Sequence, residues 1–322
     1  MKRLAFLLLL WLVLALPVFA QSGKVYRVGL LETTSAAANR ANLDAFLRGL
    51  REAGYVEGKN LIIDYRSAEG RADRFPELAE DLVRAKPDVI VTRGTPAALA
   101  AKKASSIPIV MAAAASPLAT GVIPNLARPG GNVTGLTSIV DEITIKRMEI
   151  IRQLLPTVKR VGMVLNTSNV NVTTQMKEAD AAARSLGLET EVFDTRDVET
   201  LKRALEAAVA KRTEVLLVSG EGIMFANRQL IVDFAAKHEV PVMYASREFV
   251  DAGGLVSYGV SYPDLYHRAA GYVDRILKGA KPGDLPVERP KKLELVISQK
   301  AATPLGIVIP RELLFRADEV IR

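Results

Sequence analysis

The side chains in this 322-residue chain that could act on another molecule are short, hydroxylated or amide-bearing, and they recur just after apolar runs. Thr33-Thr34, Arg93-Gly94-Thr95-Pro96, Ala115-Ser116, Asn166-Thr167-Ser168-Asn169, Gly220-Glu221 and Tyr244-Ala245-Ser246 each follow such a run, and several directly precede a helical pattern. A helix N-terminus offers unpaired N–H groups and the positive end of the helix dipole, which suits a carboxylate or another anion. Every helix also needs a cap, and for any single loop that plainer reading holds its ground. Taken as a set facing one cleft, the loops point to binding. The candidate ligand contacts are Thr33, Thr34, Arg93, Gly94, Thr95, Pro96, Ala115, Ser116, Thr137, Asn166, Asn169, Gly220, Glu221, Tyr244, Ser246 and Tyr258. Arg93 is either a cation beside the ligand or a solvated side chain at a strand edge. Tyr244, Tyr258 and Phe225 either stack on a ring or pack against their own sheets.

Reactive chemistry is poorly provided for. There is no cysteine, which excludes a disulfide framework, catalytic thiols and thiolate metal sites. The two histidines, His238 and His267, are far apart and lack metal-ligand spacing, so both are expected on helix surfaces. No G-x-G-x-x-G follows the first strand, and no P-loop or G-x-S-x-G is present. Glu221 and Glu248 could in principle serve a glycosidase, but nothing else marks such a site. No enzymatic activity, cofactor or metal is expected. Formal net charge is +7, or +5 without Lys2 and Arg3, and it is spread without a basic block, so no nucleic-acid partner is expected.

The elements that must position these loops alternate between strand and helix patterns. Val25–Leu30, Leu61–Tyr65, Asp88–Thr92 and Ile107–Met111 read as strands, with helices at Asn39–Ala53 and Arg74–Ala85 between them. A helix from Thr95 follows the third strand, with Thr95 expected as N-cap and Pro96 in the first helical position. Ser116-Pro117 repeats that device. A second run starts with a helix over Glu142–Leu155, whose Ile143, Met148, Ile151 and Leu155 share a stripe. Strands at Val161–Leu165, Glu191–Phe193, Glu214–Val218 and Val240–Tyr244 alternate with helices, one of them over Val198–Ala210 and another ending at Lys237. Leu255–Gly259, a long helix Tyr262–Leu277 and Leu293–Ile297 close the pattern.

This predicts an α/β protein of two doubly wound parallel-sheet lobes joined by a multi-strand hinge. Ligands bind at the carboxyl ends of strands in such sheets. The first lobe is expected over 24–131 with 257–290, and the second over 132–256 with 293–322. Arg128–Thr137, with Pro129, Gly130, Gly131 and Gly135, is expected to be the first hinge strand, with further crossings near Gly253–Tyr258 and Arg289–Leu295. Residues 1–20 form a basic start, an apolar run and a small-residue end, as in a secretory leader cleaved after Ala20. The apolar run is shorter than the ~20 residues that span a bilayer.

The residues also carry a family resemblance. Gly49–Asn60, Thr95-Pro96-Ala97-Ala98, Arg128–Gly135, Arg247-Glu248-Phe249-Val250, Ala252-Gly253-Gly254, Ser257-Tyr258-Gly259, Ile276–Pro282 and Ala317–Ile321 together resemble the TrpX-like family of ABC transporter substrate-binding proteins. The resemblance covers nearly all of the chain after the leader. It implies a type I periplasmic binding fold and a monomeric periplasmic receptor that delivers a small ligand, an aromatic amino acid or another organic acid, to an inner-membrane ABC permease. A sensory input protein for a membrane receptor would share the fold. Similar proteins often carry acidic residues where this chain has Ala115-Ser116 and Ala245. Acidic groups there would suit a ligand ammonium. Their absence points to a carboxylate that need not be an amino acid, with Glu221 the remaining candidate ammonium partner.

Overall fold

The computed structural model describes residues 24–138, 141–167, 169 and 172–322. The leader expected over 1–20, its cleavage point and Ser168 lie outside the described residues. Strands β1 (Tyr26–Glu32), β2 (Leu61–Ser67), β3 (Val89–Arg93), β4 (Ile109–Ala114) and β5 (Val133–Thr137) form one parallel sheet in the order β2-β1-β3-β4-β5. Every residue of β3, β4 and β5 is buried, as expected of strands covered on both faces.

A second sheet holds β6 (Arg160–Leu165), β7 (Glu189–Asp194), β8 (Val215–Val218), β9 (Val242–Tyr244), β10 (Val256–Val260), β11 (Leu293–Ser298) and β12 (Glu319–Ile321). Its order is β12-β11-β10-β9-β8-β6-β7, parallel except where β11 meets β10. Each sheet is covered by amphipathic helices whose apolar stripes face it. Helix Arg40–Glu52 buries Ala45, Phe46 and Leu50, and helix Val198–Ala210 buries Leu201, Ala204, Leu205 and Ala208. Each fully buried leucine or phenylalanine stabilises by about 1.5–3 kcal/mol, so these stripes hold the layers together.

The chain crosses between lobes three times, though not quite where the sequence suggests. Val133–Thr137, expected to open the second lobe, pairs in parallel with β4 and ends the first sheet. The first crossing therefore lies beyond Thr137, between β5 and helix Asp141–Leu154. Val256–Val260, expected largely with the first lobe, pairs with β9 and β11 in the second. Helix Tyr262–Leu277 does return to the first lobe, against helix Arg40–Glu52 and β4. The second crossing is thus at Ser261. Residues 283–288 lie along β5, with Glu288 donating its N–H to Gly135 and accepting from that of Thr137. The third crossing follows them and enters β11 near the expected place. Strand pairing, which no local pattern encodes, decided each of these boundaries.

Candidate functional site

A cavity of about 360 Å³ opens between the sheets at the carboxyl ends of their strands. Its first wall is built by β1, β3 and β4 of the first lobe. Thr33 follows β1, and Arg93 ends β3. Gly94 turns the chain with φ +88° and caps the helix Thr95–Ala104. Thr95 is therefore the first helical residue and not the cap, and its hydroxyl makes no capping bond. The Thr33 and Thr95 hydroxyls are buried without a hydrogen-bond partner, at the mouth of a helix whose first N–H groups are open.

Arg93 is 4% exposed, which removes the solvated alternative. Its guanidinium lies 4.4 Å from the Phe225 ring centre and 4.3 Å from that of Tyr262. Nη1 donates to Asn39 Oδ1 at 3.0 Å, and Nη2 stands 3.7 Å from Glu248 Oε1. Phe225 and Glu248 belong to the second lobe, so Arg93 is a cross-lobe contact. Asn42 Nδ2 also reaches Glu248 Oε1 at 3.4 Å, and Arg228 Nη2 donates to the Ala38 carbonyl at 3.2 Å. The lobes are closed on each other.

Behind Arg93, Glu32 is fully buried and takes the Tyr266 hydroxyl at 2.7 Å from each carboxylate oxygen. Burial pushes its pKa up to about 7, against the pull of Arg93, the Tyr266 hydroxyl and the Thr33 N–H. Between pH 4.5 and 7 the folded protein therefore keeps a proton that the unfolded chain has lost. Stability falls as pH rises through that window, by roughly 3 kcal/mol in all. Glu32→Gln is expected to remove this part of the slope and to raise Tm above wild type at pH 8. Superimposable Tm profiles of the two proteins from pH 5 to 8 would contradict it.

The second wall carries Asn166 and Asn169 after β6, Gly220 and Glu221 after β8, and Ala245 after β9. Glu221 accepts from the Asn166 N–H at 2.7 Å, Asn169 Nδ2 at 2.7 Å and Ser219 Oγ at 2.9 Å. Burial raises its pKa, and those three donors oppose the rise. Arg147, from helix Asp141–Leu154, reaches the same wall. Its Nε donates to the Tyr258 carbonyl at 2.7 Å and its Nη2 to the Ala245 carbonyl at 3.0 Å. Burial lowers its pKa to about 10, against the Tyr262 and Tyr258 phenols.

Ten of the candidate residues face the cavity: Thr33, Arg93, Gly94, Thr95, Pro96, Ala115, Asn166, Asn169, Gly220 and Glu221. Six do not line it. Thr34 turns its carbonyl to the Tyr65 hydroxyl. Ser116 sits in a turn, its carbonyl accepting from Thr120, and no helix follows Pro117 there. Thr137 ends the edge strand β5 beside Glu288. Tyr244 is 1% exposed and stacks on Phe249 at 5.0 Å, so it belongs to the core. Ser246 is buried at the start of helix Arg247–Asp251, and Tyr258 lies in β10 with its carbonyl on Arg147. Of the ring candidates only Phe225 reaches the cavity, joined by Tyr262 and Phe75.

Arg147 is the charged cavity residue that the sequence pattern hid. It lies four residues after Ile143 and four before Ile151, on the buried stripe of its helix. A charge in an apolar stripe is the signal that marks it. Among the described residues, no cluster of three histidine, aspartate or glutamate side chains could hold a metal ion, and no helix is long and apolar enough to cross a membrane.

Residues 27–321 match the family model described as ABC transporter substrate binding protein. A protein of Clostridioides difficile described as a tyrosine-binding protein is 28% identical over 264 residues, covering 81% of this chain and 75% of that one. A crystal structure of a conserved domain protein from Vibrio cholerae superposes with a TM-score of 0.85 at 31% identity, covering 92% of this chain and 100% of that one. An ABC domain in complex with L-Trp from Streptococcus pneumonia gives a TM-score of 0.84 at 28% identity, with the same coverage.

Proposed function

This chain belongs to the ABC transporter substrate-binding protein family, and on that premise we propose that it captures a small aromatic carboxylate between its lobes. It is an exported, monomeric receptor that delivers this ligand in the periplasm to an inner-membrane ABC permease. The observation that carries the reading is the first wall of the cavity. Two buried hydroxyls, Thr33 and Thr95, have no acceptor at an open helix N-terminus, and an acid's oxygens supply acceptors there. The rings of Phe75, Phe225 and Tyr262 face the same space and suit an aromatic body. The tyrosine-binding relative and the L-Trp complex support an aromatic ligand.

An affinity near 1 μM corresponds to about −8 kcal/mol, within reach of one charged group, a few hydrogen bonds and a buried ring. A thermal-shift screen of aromatic acids and amino acids tests the reading. A bound ligand at 100 times its Kd adds about 2.7 kcal/mol of apparent stability, a clear rise in Tm. The only tryptophan is Trp11, in the expected leader, so an indole ligand can be followed by its own fluorescence. A screen in which no aromatic acid or amino acid raises Tm overturns the proposal.

A further inference from the structure

We propose that Arg147 is the second-lobe half of the carboxylate site, and that the cavity prefers aromatic acids with net negative charge to zwitterionic amino acids. This rests on the function proposed above and narrows its substrate class. Three charged side chains face the cavity: Arg93, Arg147 and Glu221. Arg93 has Glu248 at 3.7 Å and Glu32 close behind it. Glu221 already takes three hydrogen bonds from its own lobe, which leaves little need for a ligand ammonium. Arg147 differs from both.

It is 7% exposed, yet among the described residues no carboxylate pairs with it. Its two bonds go to the carbonyls of Tyr258 and Ala245. Those carbonyls fix the plane of the guanidinium but bring no full negative charge. A buried cation is costly unless a counter-charge is supplied, and the remaining N–H groups of a guanidinium form the fork that fits a carboxylate. Among the described residues none supplies that charge, and the cavity that Arg147 lines is open to a ligand that does.

Thr33 and Arg147 stand on either side of one loop. A Cβ on Gly222 would come within 3.2 Å of Thr33 Cβ. One on Gly220 would come within 3.2 Å of Ala245 Cβ, and the Ala245 carbonyl is held by Arg147. A carboxylate lodged between the closed lobes takes the Thr33 and Thr95 hydroxyls from one side and Arg147 from the other. An α-ammonium beside it weakens the field on Arg147 and needs an acceptor of its own. Ala115 and Ala245, where acidic side chains could have received an ammonium, line the same cavity and offer none.

Calorimetry with 3-arylpropanoates (phenyl, hydroxyphenyl and indolyl) against L-Phe, L-Tyr and L-Trp tests this. The wild type is expected to bind one arylpropanoate at least about tenfold more tightly than the matching amino acid, and the arylpropanamide at least about 100-fold more weakly. Arg147→Gln is expected to weaken the acid about 30-fold or more while leaving the amide unchanged, and Arg147→Lys to recover part of the loss. If Arg147→Gln does not fold, the acid-against-amide comparison on the wild type still decides. Tighter binding of the amino acid, or an acid affinity indifferent to position 147 or to amidation, overturns this inference alone. No binding by any acid or amino acid of the panel overturns the proposed function and this inference with it.

Discussion

A cross-link between cysteines placed at Ala38 and Arg228 is expected to stop ligand exchange. The Arg228 guanidinium reaches from the second lobe to the Ala38 carbonyl at 3.2 Å, so a reagent about as long as an arginine side chain spans the two positions without distortion. Neither residue lines the cavity. The chain has no cysteine of its own, so both thiols are unambiguous. Three crossings join the lobes, and on the proposed function a ligand held between them would leave only when the lobes swing apart about these crossings. With the lobes tied, escape requires local unfolding, and release of a pre-bound ligand should slow by at least ~100-fold. A reagent with a reducible link should restore the original rate on reduction, and either single cysteine should exchange like wild type. Unchanged release from the tied protein would mean that closure does not gate the site.

The alternation of strands and helices was legible because each element carries its own period. Helices Val198–Ala210 and Tyr262–Leu277 end where their patterns end, and Asp197 caps the first through a reciprocal bond with Thr200. The helix expected to end at Lys237 is preceded by a shorter one, Gly222–Ala226, and the two are divided at Asn227, where φ is −111° and ψ 22°. Its side chain bonds back to the Ile223 carbonyl, a competition with the backbone that periodicity does not register.

The loops at the strand ends were legible as a set, because parallel sheets put them on one side. Which member of each loop faces the cavity was not. Tyr244 and Ala245 are neighbours, yet the tyrosine ends β9 packed in the core and the alanine, the first residue beyond the strand, lines the site. The two arginines show the same limit. Arg93 reads equally as a cation beside a ligand or as a solvated side chain until Phe225, Tyr262 and Glu248 arrive from elsewhere in the chain. Arg147 looks like one more charge on a helix until its stripe is seen to be buried. Charge in a sequence is local, but its partner is not.

Arg128–Thr137 holds three glycines whose roles separate once neighbours are known, and replacing them by alanine should divide them sharply. Gly130 and Gly131 have φ of +62° and +64°, and nothing within 4 Å would meet a Cβ on either. Alanine at Gly131 meets backbone strain alone, about 1 kcal/mol. Gly135 sits inside β5 with φ +125°, and a Cβ there would lie 2.3 Å from the Met111 carbonyl oxygen and 2.5 Å from its nitrogen. Those atoms belong to the β4 backbone, so no side-chain rotation relieves the clash, and the two strands must part. The Gly135 carbonyl also accepts from Glu288, which leads into the third crossing, and Thr137 two residues on precedes the first. Gly135→Ala thus strains the strand from which the first inter-lobe connection departs and beside which the third begins. It is expected to cost at least about 4 kcal/mol, lowering Tm by roughly 8 °C or more, or to prevent folding. Measured side by side, a Gly135→Ala protein that melts within about 2 °C of Gly131→Ala would show that β5 can shift away from β4 freely. The glycines of this stretch would then serve its turn and not the close approach of two strands.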